Sequence, residues 1–326
     1  MASALNLSLP LLLLCLCASS LAAQKKKNKK DIEPVTQTLE VLRDPPPAVK
    51  VESSRLIFQT SPLSTKGLLS QQGKDAISSL RKQVHGATIV KLRAFVAGRG
   101  DARRITSLVS ELFSEWKLPI PALTIIQVGA LLIEGAQVQI EAIAEERKPI
   151  NFNGLNWLPA QQVVKALAES GDINSVLPLL EESLAALTGD ILSVTCYVST
   201  IDNAQALEAA IVRKFPTAAH TLVQAQRATG SGLARCEAVS RRSVGTPDRL
   251  VLTGTFIGFG VEQKDIDIVQ SRLTKLLESN NATLIERKGY GVSRSLESRL
   301  GSISVIEGVG SNEATFAIEA IGLQKN

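Results

Sequence analysis

The ending of one strand is written three times in this chain. It reads VQIEAIA (Val138 to Ala144), ARCEAVS (Ala234 to Ser240) and FAIEAIG (Phe316 to Gly322). Each copy sets a Glu before Ala and a β-branched residue, at Glu141, Glu237 and Glu319, and these glutamates stand 96 and 82 residues apart. That spacing is the size of a small domain, so the pattern predicts one fold repeated three times. A chain of 326 residues has room for three such units.

Periodicity gives each unit the same order. In the first, Arg55 to Thr60 reads as a strand and Gln71 to His85 as a helix with Ile77, Leu80 and Val84 on one face. Thr88 to Ala97 is a strand of alternating character. Asp101 to Trp116 is a second helix, with Asp101 as N-cap and Ile105, Leu108, Val109, Leu112 and Phe113 turned inward. Leu123 to Val128 and Ala136 to Ala144 close the unit as strands. The second unit repeats this with an extended Ile150 to Trp157, a helix over Asp172 to Leu187, a strand over Ile191 to Ser199, a helix capped by Asp202 and running to Lys214, and strands over His220 to Ala225 and Leu233 to Ser240. The third is shorter. It has a strand from Arg249 to Thr255, a helix from Glu262 to Ser279, a brief helical turn between Ile285 and Gly301, and strands over Ile303 to Glu307 and Ala314 to Ile321. One sheet carrying helices on one face is an α+β layer pair. The opposite sheet faces stay apolar, so three sheets closing on one another would form an intramolecular pseudo-trimer with clefts between units.

The resulting division is 1–23, an apolar leader or anchor; 24–52, a basic and Pro-rich linker; and repeats at 53–146, 148–241 and, shortened, 246–324. Leu5 to Ala23 is apolar and ends in small residues, as a secretory signal does. No basic residue precedes it and a Lys cluster follows, which suits an uncleaved anchor over residues 5–23. Periplasmic or secreted, or membrane-anchored, are the two readings left open. The net charge of +5 is matched by the five lysines Lys25, Lys26, Lys27, Lys29 and Lys30, so the remaining chain is neutral. A neutral body argues against nucleic-acid binding. After signal cleavage only Cys196 and Cys236 remain. They either pair in an oxidising compartment or lie as buried thiols on neighbouring strands. No Cys/His spacing suggests a metal and no cofactor is expected. Gly254, Gly258 and Gly260 precede a helix, but their spacing matches no phosphate loop and reads as a strand-edge turn.

Taken together, LRAFVAGRGDARRITSLVSELFSEWKLPIPALTIIQVGALL with VQIEAIA, then CYVSTIDNAQALEAAIVRKFP with CEAVS, and RLVLTG with IEAIG resemble the RidA (YjgF) family of reactive-intermediate deaminases, three times over. The resemblance implies three tandem RidA-like (chorismate-mutase-like) α/β sandwich units in a monomer that imitates the family's trimer. Family members hydrolyse enamine or imine intermediates, with a penultimate-strand Arg gripping the substrate carboxylate and a last-strand Glu positioning water. Here the Arg position falls on Leu123, His220 and Ser302, and the Glu position on Gln139, Arg235 and Ala317. Each charge-assisted hydrogen bond lost with the guanidinium removes about 1.5–3 kcal/mol, so standard 2-iminobutanoate/2-iminopropanoate deamination is not expected.

His220, Thr221, Arg227 and Arg235 are the candidates left to bind a small anionic metabolite in a cleft between units, with His220 able to act near neutral pH. Each also has a plain alternative: a strand-end His bonded to backbone, a surface ion pair for Arg227, a solvent-facing Arg235. Glu141, Glu237 and Glu319 read as structural, held in the sheet by neighbouring donors. Two other functions stay open, a divergent enzyme of the deaminase or chorismate-acting type and a non-catalytic interaction protein.

Overall fold

A computed structural model describes residues 42–98, 102–158, 190–198, 201, 204–225 and 234–325. The leader, the Lys run, Asp101, the helix expected over Asp172 to Leu187, Asp202 and Arg227 lie outside them. In chain order the strands and helices are β1 (Ala48–Glu52), β2 (Leu56–Thr60), α1 (Leu69–Gln83), β3 (Thr88–Ala97), α2 (Arg103–Glu115), β4 (Ala122–Val128), β5 (Ala130–Leu131), β6 (Val138–Glu145), β7 (Leu155–Leu158), β8 (Ile191–Val198), α3 (Ala204–Lys214), β9 (Ala219–Gln224), β10 (Ala234–Arg241), β11 (Arg249–Thr253), β12 (Phe256–Gly258), α4 (Gln263–Ser279), β13 (Ala282–Gly291), α5 (Glu297–Leu300), β14 (Ile303–Val305), β15 (Gly308–Val309) and β16 (Phe316–Gln324).

These strands make three sheets of like design: β15-β4-β3-β6-β2, β5-β9-β8-β10-β7, and β1-β11-β16-β13-β14 with β12 also on β16. In each, a middle strand pairs parallel with one neighbour (β3/β4, β8/β9, β13/β14) and antiparallel with the strand bearing the repeated Glu (β3/β6, β8/β10, β13/β16). A parallel pair needs a crossover connection, which α2, α3 and the single turn of α5 provide. Edge strands are exchanged between sheets. β5 adds to β9, β15 adds to β4, and β1 adds to β11. The last five residues of the expected linker are therefore a strand, since Val49 and Val51 alternate with polar neighbours against an open sheet edge.

Helices form where apolar spacing permits. α2 buries Ile105, Leu108, Val109, Leu112 and Phe113 as the 3.6-residue period predicts, with Ala102 rather than a polar residue at its N-cap. α1 stops before His85 (φ +48°) and Gly86 (φ +91°), two left-handed residues that cannot continue a helix. It lies close to α2 because Gly73 offers no Cβ, one of which would stand 3.0 Å from Leu108.

β13 is the element absent from the sequence-based expectation, which allowed only a helical turn in that region. Its sequence, ATLIERKGYG, has an exposed first half, adjacent charges at Glu286, Arg287 and Lys288, and two glycines. Nothing local marks it as the central strand of a sheet. Pairing on both sides, with β16 and β14, makes it one.

Each sheet packs one face on its helices, with cores around Leu92, Ile140 and Phe113, around Cys196 and Ile211, and around Ile318 and Leu273. The other faces meet one another. Phe95, Tyr197 and Tyr290 join in one apolar cluster, and Leu56, Val239, Leu250 and Ile321 in another. The expectation that these faces are wholly apolar is corrected here, because the residues between the two clusters are charged. Cys196 lies directly opposite Cys236 across β8 and β10 and is joined to it as a disulfide, with Cα atoms 4.1 Å apart. Among the described residues no helix is long and apolar enough to cross a membrane.

Candidate functional sites

The repeated glutamates are positioned by register. Glu141 pairs with Arg93, Glu237 with Thr195 and Glu319 with Lys288. Each middle strand also carries a β-bulge at the matching place, where Val90, Leu192 and Ile285 are the extra residues. A bulge re-aims the side chains that follow it. Lys91 and Ser193 directly follow two of these bulges.

Arg93 is the hub of the charged layer. Its Nε donates to Glu141 Oε2 at 2.7 Å, its Nη2 donates to Thr195 Oγ1 at 2.9 Å and meets Glu237 Oε1, and its Nη1 donates to the Tyr290 hydroxyl at 3.1 Å. Lys91 Nζ reaches Glu319 Oε2 at 2.6 Å and the Thr253 carbonyl at 2.5 Å. Thr124 and Tyr290 also donate to Glu319, at 2.6 and 2.7 Å, and Lys288 Nζ lies 3.0 Å from Glu237 Oε2. Residues of all three sheets therefore share one network.

Burial sets the electrostatics. It opposes the charge on Glu319, yet Lys91, Arg93 and Lys288 together hold that carboxyl well below the usual range. Burial likewise opposes the charge on Glu237, and Arg93 and Lys288 outweigh it. For Lys91, burial prevails over the attraction of Glu319 and pulls the ammonium pKa down. Burial would weaken the Arg93 charge too, but Glu141 and Glu237 push its pKa up. Burial raises the Tyr197 and Tyr290 hydroxyls. Three cations face three carboxylates, so the layer closes on itself as a neutral unit.

A second concavity lies on the flank, where the first sheet meets the second. It is a cleft of about 740 Å³ whose wall includes Thr60, Ser61, Gln139, Gln205, Glu208 and His220. His220 does line a cleft between sheets. Its Nε2 stands 3.3 Å from Glu208 Oε1 and its Nδ1 3.5 Å from the Ala218 carbonyl. Both ring nitrogens face acceptors of its own unit, and the neighbouring carboxylate repels anions. His220 is thus placed in a cleft wall beside a carboxylate.

Thr221 is not part of the wall. It is buried, with its hydroxyl 3.3 Å from that of Thr60, and it joins β9 to β2. Arg235 reaches from the second sheet to the third, where Nη1 donates to the Ile303 carbonyl at 2.7 Å and lies 3.8 Å from Glu297. It spans the seam beside Ser302, itself exposed. At Leu123 the backbone carbonyl accepts from Thr255 N at 3.1 Å, and Gly254 packs so closely that a Cβ there would stand 3.1 Å from the same oxygen. Chain fills that position. Arg227 lies outside the described residues.

The glycine-rich segment ahead of α4 holds no anion either. Glu262 and Asp265 form a capping box over the helix N-terminus, so carboxylates already occupy its donors. A Cβ at Gly258 would meet the Phe316 ring at 2.2 Å, which explains the glycine by packing. Among the described residues no group of His, Cys, Asp and Glu could hold a metal ion.

Gln139 is the cleft residue that sequence reasoning passed over. The family resemblance marks it only as the place of a missing glutamate. It is buried, and its side-chain carbonyl has no hydrogen-bond partner among the described residues. In the sequence it shares its strand phase with Glu141 and Glu145, opposite the apolar phase of Val138, Ile140, Ala142 and Ala144, so nothing local marks it as buried.

No protein-family profile matches this chain. No curated protein matches it either. Among solved structures, it is similar to a cyanuric acid hydrolase described as an evolutionary innovation by structural concatenation, at 11% identity over 82% of this chain and 100% of that one, with a TM-score of 0.23. A chorismatase matches at 8% identity over 82% and 98%, with a TM-score of 0.23. A cyanuric acid hydrolase from A. caulinodans matches at 12% identity over 83% and 100%, with a TM-score of 0.22.

Proposed function

We propose that this is an exported, single-chain, three-unit RidA-like protein that binds a small uncharged polar molecule in the flank cleft and does not carry out the family's deamination. The observation that carries the ligand class is the Gln139 carbonyl, which has no hydrogen-bond partner among the described residues. A buried acceptor without a partner costs about 1–3 kcal/mol, and a ligand N–H or O–H would recover it. His220 stands beside the Glu208 carboxylate, so nothing there rewards a second carboxylate.

The tandem-unit reading is supported by three sheets with the same strand order, the same bulge and the same Glu register. Loss of deamination is supported by the side chains at the two family positions, where no Arg faces a Glu. Export is supported by the Cys196–Cys236 disulfide, since such bonds persist in oxidising compartments.

The test is a thermal-shift and calorimetric titration with acetamide and urea on one side and pyruvate and 2-oxobutanoate on the other. The neutral donors raise the melting temperature and the keto acids do not. Gln139→Leu removes the shift. Hydrolysis of 2-aminoacrylate above the buffer rate, or tighter binding of the keto acids, would overturn the reading.

A further inference from the structure

All six charged residues of the central layer line a separate cavity of about 60 Å³, between the sheets. A single water needs about 10–15 Å³ measured this way, so there is room for about four to six water-sized groups. Its floor is polar. Its walls are Phe58, Ile143, Trp157, Val239, Leu252 and Ile321, with Phe58 and Trp157 set edge to face at 5.8 Å.

The hydrogen bonding of this floor is unbalanced. Most carboxylate oxygens already accept from a donor: both of Glu141 (Thr195, Arg93), Oε2 of Glu237 (Lys288) and both of Glu319 (Tyr290, Lys91), while Glu237 Oε1 lies against Arg93 Nη2 without a directed hydrogen bond among the described residues. Donors remain. An ammonium has three N–H groups, and among the described residues Lys288 gives one to a carboxylate, that of Glu237. Ser193 lines the same cavity and adds a hydroxyl to its polar floor. The charges cancel, three against three. An added anion or cation would be left uncompensated in a buried setting, which is strongly unfavourable.

We propose that this cavity binds a small uncharged molecule with an apolar body and one carbonyl-type acceptor, such as a ketone or ester. Its body lies on the aromatic and aliphatic wall and its oxygen accepts from Lys288 Nζ and Ser193 Oγ. The site is distinct from the flank cleft and does not rest on the function proposed for it.

The experiment titrates the full chain with cyclohexanone, cyclohexanecarboxylate and cyclohexylamine, read by saturation-transfer NMR and, in a Trp116→Phe background, by Trp157 fluorescence. Cyclohexanone binds saturably, and each ion binds at least about tenfold more weakly. Ser193→Val weakens cyclohexanone roughly two- to tenfold, the worth of one neutral hydrogen bond. Val239→Trp, which fills the cavity, abolishes binding, with circular dichroism and melting confirming the fold. Gln139→Leu leaves it unchanged, which separates this site from the cleft. Absence of saturable binding, equal binding of either ion, or full retention of binding in Ser193→Val would overturn the proposal.

Discussion

Arg93 touches more of the molecule's charge than any other side chain described above. It donates to Glu141 and Thr195, meets Glu237 and reaches Tyr290, so one guanidinium links three sheets. Its planar fork explains why a lysine would not serve, since one ammonium cannot address so many fixed acceptors. Arg93→Met leaves buried carboxylates without their cation and should cost about 3–5 kcal/mol in urea unfolding. Combining it with Glu141→Leu, which leaves two cations against two carboxylates, should restore part of that loss, because a buried ion pair can be replaced by apolar packing at little net cost. The same cluster sets the acid limit. Glu237 and Glu319 titrate below the ordinary 4.5 when folded. The stability they give is therefore complete above that value and is lost as the pH falls through their folded pKa values. Urea midpoints should hold steady down to about pH 4.5 and then fall, with little dependence on salt because the pairs are buried.

At the scale of elements, periodicity worked where a strand or helix has one wet face and one dry face. α2 follows its predicted apolar stripe and α4 its predicted range, and β6, β10 and β16 follow the repeated motif. It failed at β13, where the inward face carries Lys288 and Tyr290 and the local composition resembles a loop. It also failed at β1, whose strand character comes from the sheet edge it covers. The β8–β10 pair brings its own brace. Cys196 and Cys236 close a loop of 40 residues, for which chain-entropy estimates give about 4 kcal/mol. Reduction, or Cys196→Ala with Cys236→Ala, should lower the unfolding free energy by roughly 2–4 kcal/mol. Equal denaturation midpoints with and without reductant would remove that role.

At the scale of the whole molecule, Leu42–Asn326 forms one compact unit whose sheets trade edge strands and share a charged centre. That sharing explains why the candidate sites are concavities between sheets rather than features of one repeat. Of the candidates named from sequence, His220 reaches the flank cleft, whereas Thr221, Arg235 and Leu123 serve the seams. None of those fates is visible in one dimension. Each depends on which neighbouring sheet lies opposite, as Ile303 does for Arg235 and Thr60 for Thr221.

The residues by themselves determined that one strand ending recurs and that helices and strands alternate around it. Those properties are local, set by hydrophobic period and side-chain identity. Only the tertiary structure decided that Glu141, Glu237 and Glu319 gather on Arg93, Lys91 and Lys288, and that Gln139 has no donor among the described residues. Such facts arise from which surfaces meet, and burial then turns ordinary solvent-facing charges into an interior network.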